Sequence, residues 1–203
     1  MRTVPLLLML IVLSAASVEA QGVRAVGVHA GQVRSRWRHD RSPDSEERTG
    51  PVVGAFVDVQ SPAGFVSILA EASWTRRGGA YPIGVRDTYT GTVQVDYLTL
   101  AVLPVLRLSA GPLSVLTYAG PAVDIHVRTR AGGELAAAFA TPSPQVLTVD
   151  AGAGVELALG RGWSVRGEFR VNEGLTHAFS SDADNPRSRS REILVRVGRS
   201  AVR

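Results

Sequence analysis

The chain has 203 residues but no cysteine and no lysine, so all 22 of its basic side chains are arginines. The missing cysteine excludes a disulfide framework and thiol chemistry. Aromatic residues make up only 6% of the sequence, whereas glycine occurs 21 times. This balance suits tightly packed β structure, and the length suits one domain.

Long apolar runs are also missing after the N-terminus. The most apolar remaining stretch is residues 97–127, and its segment 98–108 is shorter than the ~20 residues that a membrane-spanning helix needs. Pro104, Pro112 and Pro121 further disfavour a helix. We therefore expect this stretch to be extended.

The second half of the stretch alternates in character. Odd positions from Leu113 to Val127 are apolar or small, with Thr117 the exception, whereas Asp124, His126 and Arg128 occupy even positions. This two-residue period predicts a strand, and the break at 109–112 predicts a hairpin. The strands are much longer than the usual ~5–6 residues, which favours a transmembrane β-barrel.

The N-terminus has the pattern of a secretory signal peptide. Arg2 precedes the apolar run 4–13, and Val18-Glu19-Ala20 supplies small residues for cleavage before Gln21. We expect residues 1–20 to be removed and 21–203 to form the barrel domain. An exported chain makes nucleic acid an unexpected partner.

Eight strands are predicted after the signal peptide, joined alternately by long polar stretches and short turns. Their predicted bounds are 23–36, 52–60, 65–76, 92–108, 113–128, 145–159, 163–175 and 192–202. Outer-membrane barrels show this alternation because short turns face the periplasm and long loops face outward. The predicted fold is all-β, an eight-stranded antiparallel up-and-down transmembrane β-barrel.

The apolar face could point inward, as in a soluble barrel, or outward into lipid. Its side chains are mostly valine and alanine, which fill a core poorly compared with Phe, Leu and Ile. The polar face mixes acids with arginines, as a closed lumen would require. The expected lumen network is Asp58, Glu71, Asp124, His126, Arg128, Asp150, Glu156, Arg166, Glu168, Arg170 and Arg196. An eight-stranded barrel has room for side chains inside but not for an open pore.

The fourth predicted strand has one inconsistency. Val93, Val95 and Tyr97 share one parity, whereas the other parity contains Leu98, Leu100, Val102 and Leu106. A β-bulge near Tyr97 would repair the pattern. Pro104 and Pro121 also predict gaps or bulges, because proline cannot donate to a ladder.

Several segments together resemble a known family. They are YLTLAVLPVLRL, GPLSVLTYAGPAVDI, DAGAGVELALGRG and RGEFRVNEGLTHAF, all between residues 97 and 179. Their order and spacing resemble the outer-membrane β-barrel domain family, the PorT-like branch of the OmpA/OmpX-like "porin family". The resemblance implies a role in envelope structure, adhesion or secretion, and insertion by periplasmic chaperones and the barrel-assembly machinery. Such barrels often end on an aromatic residue, whereas this chain ends at Arg203.

Two further functions remain open on the sequence. His126 beside Asp124 raises the possibility of a lipid A-modifying enzyme, since a His–carboxylate pair can transfer protons. Arg128 occupies the place where a His-x-Ser pair would have its serine. A soluble periplasmic barrel that binds a small apolar ligand is the other alternative. We expect no catalytic residue, no metal site and no cofactor, and the sequence leaves the oligomeric state open.

Arginines concentrate near the predicted outer ends of the strands. Guanidinium groups suit phosphate oxygens, so these side chains could contact outer-membrane lipid and lipopolysaccharide. Ordinary solvated loops are the competing interpretation. The candidate residues are Arg36, Arg38, Arg41, Arg76, Arg77, Arg130 and Arg189.

Overall fold

A computed structural model describes residues 22–38, 44–61, 64–83, 89–132, 139, 141–179 and 186–200. The described chain forms eight antiparallel strands that close into a barrel, because β1 pairs with both β2 and β8. The strands are β1 Val23–Arg38, β2 Glu46–Gln60, β3 Val66–Ile83, β4 Tyr89–Ala110, β5 Leu113–Ala131, β6 Gln145–Gly160, β7 Trp163–Gly174 and β8 Arg187–Ser200. The predicted fold and strand number are confirmed. Within the described ranges, no helix has the length and apolar character to cross a membrane.

Three short turns and both ends of the described chain lie at one end of the barrel, the turn end. In the turn between β6 and β7, Gly160, Arg161 and Gly162 have φ values of 82°, 51° and 79°. Glycine adopts this left-handed region without the steric cost that a side chain brings, so two glycines let the chain reverse within two residues. The four remaining connections lie at the opposite end, the loop end.

The strands extend further toward the loop end than the sequence pattern predicts. Residues 77–90 were expected to be a loop, but β3 continues to Ile83 and β4 begins at Tyr89. Residues 46–50 and 187–191 are likewise strand rather than loop. Backbone pairing continues here without an apolar stripe, so the hydrophobic pattern does not reveal it.

The face prediction is confirmed along most of the barrel. Outward side chains include Val149, Val155 and Leu157, which are 38%, 48% and 44% exposed. Asp150 and Glu156, at the intervening parity of β6, are buried in the lumen. Charged groups therefore lie inside and apolar groups outside, the reverse of a soluble barrel.

The expected irregularity of β4 exists but lies on its neighbour. The ladder shifts register where Asp96 pairs with Arg128 and Tyr97 pairs with His126, so Val127 is the extra residue. The alternation of β4 is uninterrupted, and Val93, Val95 and Tyr97 are buried inside the barrel. A bulge on β4 is therefore not needed: these apolar residues belong to the interior.

Pro104 and Pro121 coincide with the predicted local gap. Between β4 and β5 the paired residues jump from Ala101–Ala122 to Val105–Tyr118, and Pro104 and Pro121 lie in or beside the intervening segments. On their other sides both prolines stay in register, with β3 and with β6. The missing backbone N–H donors of the two prolines thus interrupt only the ladder between β4 and β5.

Candidate functional site: the closed lumen

Two carboxylates and three arginines fill the lumen near the turn end. Arg107 reaches both acids, with Nη2 2.7 Å from Asp58 Oδ2 and Nη1 2.8 Å from Glu156 Oε1. Arg166 also reaches both acids, with Nη2 3.2 Å from Asp58 Oδ2 and 2.7 Å from Glu156 Oε2. Arg24 also donates to both carboxylates. Each acid is therefore shared by three guanidinium groups.

The middle of the lumen contains a second group of ion pairs. Arg196 joins its two acids, with Nη2 2.7 Å from Glu71 Oε2 and Nε 2.8 Å from Glu168 Oε2. Arg170 forms two hydrogen bonds to Glu71. The Tyr118 hydroxyl donates to Glu168 over 2.9 Å. The acids come from both sides of the barrel, so the pairs bridge its interior.

A third group lies nearer the loop end. Arg170 Nη1 is 3.3 Å from Asp150 and 3.7 Å from Glu192, which connects this group to the middle one. Arg77 contacts Asp124 directly and lies 3.7 Å from Glu192. The ion pairs therefore form one continuous network along the barrel axis.

Apolar side chains fill the rest of the lumen. On the β2–β5 side, a cluster that includes Phe56, Leu69, Leu103 and Leu116 is buried against the charged network. Arg166 and Arg196 lie 5.9 Å and 5.2 Å from the Phe56 ring centroid, within the range of cation–π attraction. Packing and ion pairing together occupy the space that a pore would need.

An aromatic cap of Trp37, Tyr97, Phe139 and Phe179 closes the loop end. The ring of Phe179 meets those of Trp37 and Phe139 edge-on, with centroid separations of 5.5 Å and 4.9 Å. Edge-to-face pairs at these distances are favourable. Phe139 and Phe179 lie outside the eight strands, so the cap includes residues from two of the connections.

Nine of the eleven predicted lumen residues lie in the network. They are Asp58, Glu71, Asp124, Asp150, Glu156, Arg166, Glu168, Arg170 and Arg196. Arg128 does not belong to it, because its side chain is exposed at the loop end. His126 is half-buried and its Nε2 lies 2.8 Å from Thr129 Oγ1. The bulge at Val127 explains both differences, since it ends the regular inward alternation of β5.

The predicted rim arginines separate into two kinds. Arg77 is wrong as a surface residue: it is 2% exposed and bound to acids inside the lumen. It follows Ser73 and Thr75 on the inward parity of β3. The remaining described candidates are partly exposed near the loop end, namely Arg36, Arg38, Arg76, Arg130 and Arg189. Arg41 lies outside the described residues.

Besides Arg77, three members of the lumen network were not predicted. Arg107 has the inward parity of Val105, and Glu192 has the inward parity of Leu194 and Arg196, so alternation could have identified both. Arg24 gave no such signal. It reaches inward beside a register shift at the start of β1.

The arrangement of His126 and Asp124 does not form an acid–base pair. Among the described residues, the Asp124 carboxylate accepts from Arg77 and, over 2.6 Å, from Thr99, whereas His126 bonds to Thr129. In a catalytic His–carboxylate pair, the carboxylate orients the imidazole through a hydrogen bond between them. The geometry therefore gives the enzymatic alternative no support.

Comparison with known proteins shows the fold and no family. No protein-family model matches the chain, and no curated protein sequence does. The outer-membrane protein OprG of Pseudomonas aeruginosa matches with a TM-score of 0.53 and 9% identity, over 87% of this chain and 94% of OprG. Neisserial surface protein A matches with a TM-score of 0.49 and 12% identity, over 85% of this chain and 97% of its own. Ail of Yersinia pestis matches with a TM-score of 0.43 and 10% identity, over 86% of this chain and 98% of Ail.

The likeness to OprG shows that the two chains share a closed antiparallel barrel. At 9% identity it indicates nothing more specific. The PorT-like assignment stays a prediction.

Proposed function

We propose that this chain is a non-enzymatic barrel of the bacterial outer membrane, with a closed lumen and a structural, envelope-interaction or secretion-associated role. The observation that carries the proposal is the inverted distribution of charge. Arg166, Arg170 and Arg196 are at most 2% exposed, whereas Val28, Ile193 and Leu108 are at least 61% exposed. Only an apolar surrounding makes this arrangement favourable.

The apolar surface has the height of a bilayer core. It runs from Phe65, an exposed residue just before β3, to Trp74 on β3. The outward side chains between these two residues carry no charge. Nine residues at ~3.3 Å each span ~30 Å along the strand. If the strand tilts by ~40° from the barrel axis, this length corresponds to a height of ~23 Å along the axis. That height is close to the ~25 Å apolar band of outer-membrane barrels.

This proposal fixes the orientation of the barrel. Short turns face the periplasm in such proteins, so the turn end lies there and the loop end faces outward. Outer-membrane lipid and lipopolysaccharide would then be its surroundings, and the periplasmic chaperones and barrel-assembly machinery its partners during insertion. A PorT-like role in secretion falls within the same proposal.

Conductance measurements test the closed lumen. Because side chains occupy the interior, we expect the purified protein in planar lipid bilayers to give no discrete current steps in 1 M KCl. An open porin recorded in the same bilayers is the positive control. Reproducible steps from the folded, heat-modifiable protein would contradict the proposed role.

A further inference from the structure

A shallow apolar groove lies on the outer surface of β2–β5. Its volume is about 450 Å³, and its floor consists of small side chains that include Ala55, Ala70 and Ala72. Larger residues such as Leu100 and Val123 form its walls. The groove exists because three neighbouring outward positions are alanines, and larger side chains border them.

A cluster of cationic groups lies on the same strands, toward the loop end. Arg76 Nε is 2.7 Å from Asp96 Oδ1, and Arg130 Nη2 is 3.5 Å from Asp96 Oδ2. Arg128 is opposite Asp96 in the ladder, is exposed, and has no carboxylate partner in the described part of the chain. Arg76 and Arg130 contact Asp96, and Arg128 is its neighbour on β5, so these four residues have a formal charge of +2.

The register shows that the groove leads to this cluster. Ala72 pairs with Leu100, and four residues further along the two strands Arg76 pairs with Asp96. Four residues span ~13 Å along a strand. Trp74 lies between them, with the Arg76 guanidinium carbon 5.0 Å from its ring centroid. Tryptophan marks the interface between hydrocarbon and headgroups, so the arginines lie at headgroup depth and the groove lies below.

We infer that the groove and the Arg76–Asp96–Arg130 cluster together bind one lipopolysaccharide molecule, with a lipid A phosphate on the guanidinium groups and an acyl chain in the groove. Guanidinium groups donate paired hydrogen bonds that match phosphate oxygens. The inference rests on the proposed membrane location. It also rests on the orientation, because lipopolysaccharide occupies the outer leaflet and the cluster lies at the outward loop end.

The chain contains a matched control for this site. Arg38 and Arg189 also share one acid, with distances of 3.4 Å and 3.2 Å to Glu173. This second cluster is on the β1, β7 and β8 side of the barrel. Phe169 and Ile193, which lie below it, are 50% and 66% exposed. Large side chains therefore protrude below the second cluster, whereas a groove lies below the first.

The test is a titration of the refolded full barrel in detergent micelles with fluorescent rough-type lipopolysaccharide. We expect Arg76→Ala combined with Arg130→Ala to weaken binding at least ~10-fold, which is about 1.4 kcal/mol. The sequence makes Arg38 and Arg189 candidate contacts as well, but exposed side chains protrude below them in place of a groove. Arg38→Ala combined with Arg189→Ala should therefore stay within ~2-fold of the parent. If the first double variant does not fold, as judged by heat modifiability, Arg128→Ala alone replaces it with an expected ~3-fold loss.

A variant that fills the groove distinguishes the contribution of the acyl chain to binding from that of the phosphate. Ala72→Leu should weaken binding of intact lipopolysaccharide ~5-fold and leave binding of fully deacylated lipopolysaccharide unchanged. Equal losses in the two double variants, equal competition by phosphatidylglycerol, or a dimer that Ala72→Leu dissociates would each overturn the inference. A conducting lumen with intact lipopolysaccharide binding would instead overturn only the proposed closed role.

Discussion

Arg170→Ala is expected to destabilise the barrel by about 3–5 kcal/mol, the usual cost of leaving buried charges without their partner. Arg170 is 2% exposed and bonds to Glu71. It also lies 3.3 Å from Asp150 and 3.7 Å from Glu192. Its loss leaves more negative charge in the lumen than the remaining arginines compensate. Urea unfolding of the protein in lipid vesicles, followed by tryptophan fluorescence, measures the change.

Two further variants make this measurement specific. Arg189→Ala removes an arginine from a pair whose side chains are 37% and 36% exposed, so the expected change is below ~1 kcal/mol. Adding Glu192→Gln to Arg170→Ala removes one of the uncompensated carboxylates and should recover part of the lost stability. If Arg170→Ala and Arg189→Ala had equal effects, the lumen network would not be stabilised as described.

Val195→Arg is expected to destabilise the inserted barrel by about 2–4 kcal/mol, because it places a charge against lipid near the bilayer midplane. Val195 is 53% exposed and lies on β8 midway between the outward Arg191 and Arg199. On a water-exposed surface the same change would stay within ~0.5 kcal/mol. Vesicle unfolding titrations of parent and variant give the difference.

Thr49→Arg is the matched control for the midplane variant. Thr49 is also an exposed strand residue, but it lies at the loop end, where Arg34 is its neighbour in the ladder. There an added arginine reaches the headgroups, so little change is expected. A Val195→Arg barrel as stable as Thr49→Arg would mean that the apolar band does not face hydrocarbon.

The two-residue period predicted most of the barrel, because an apolar outer face and a packed, charged interior impose a strict alternation. It identified eight strands, three short turns and the inward position of most lumen residues, Glu156 and Arg166 among them. It failed for Arg77, because the following Gly78 and Gly79 were taken as a loop although β3 continues through them. Toward the loop end, both faces of the strands carry polar residues, so the sequence has no alternation there from which to predict a strand.

The aromatic cap over the lumen could not be predicted from local patterns. Phe139 and Phe179 pack edge-on although they come from different connections. Which acid meets which arginine likewise depends on barrel closure and strand stagger. The sequence supplied the groups, but only the closed register brings Arg107 to both Asp58 and Glu156.

Several ion pairs of the lumen join positions that are far apart in the chain. Arg24 and Glu156 are separated by 132 residues, Arg196 and Glu71 by 125, and Arg170 and Glu71 by 99. No hairpin contains these contacts, so they form only when the last strands meet, late in assembly. Reopening the barrel within the bilayer would expose the same charges to hydrocarbon. The network should therefore act mainly on the rate of unfolding, giving the inserted protein a long lifetime once closure is complete.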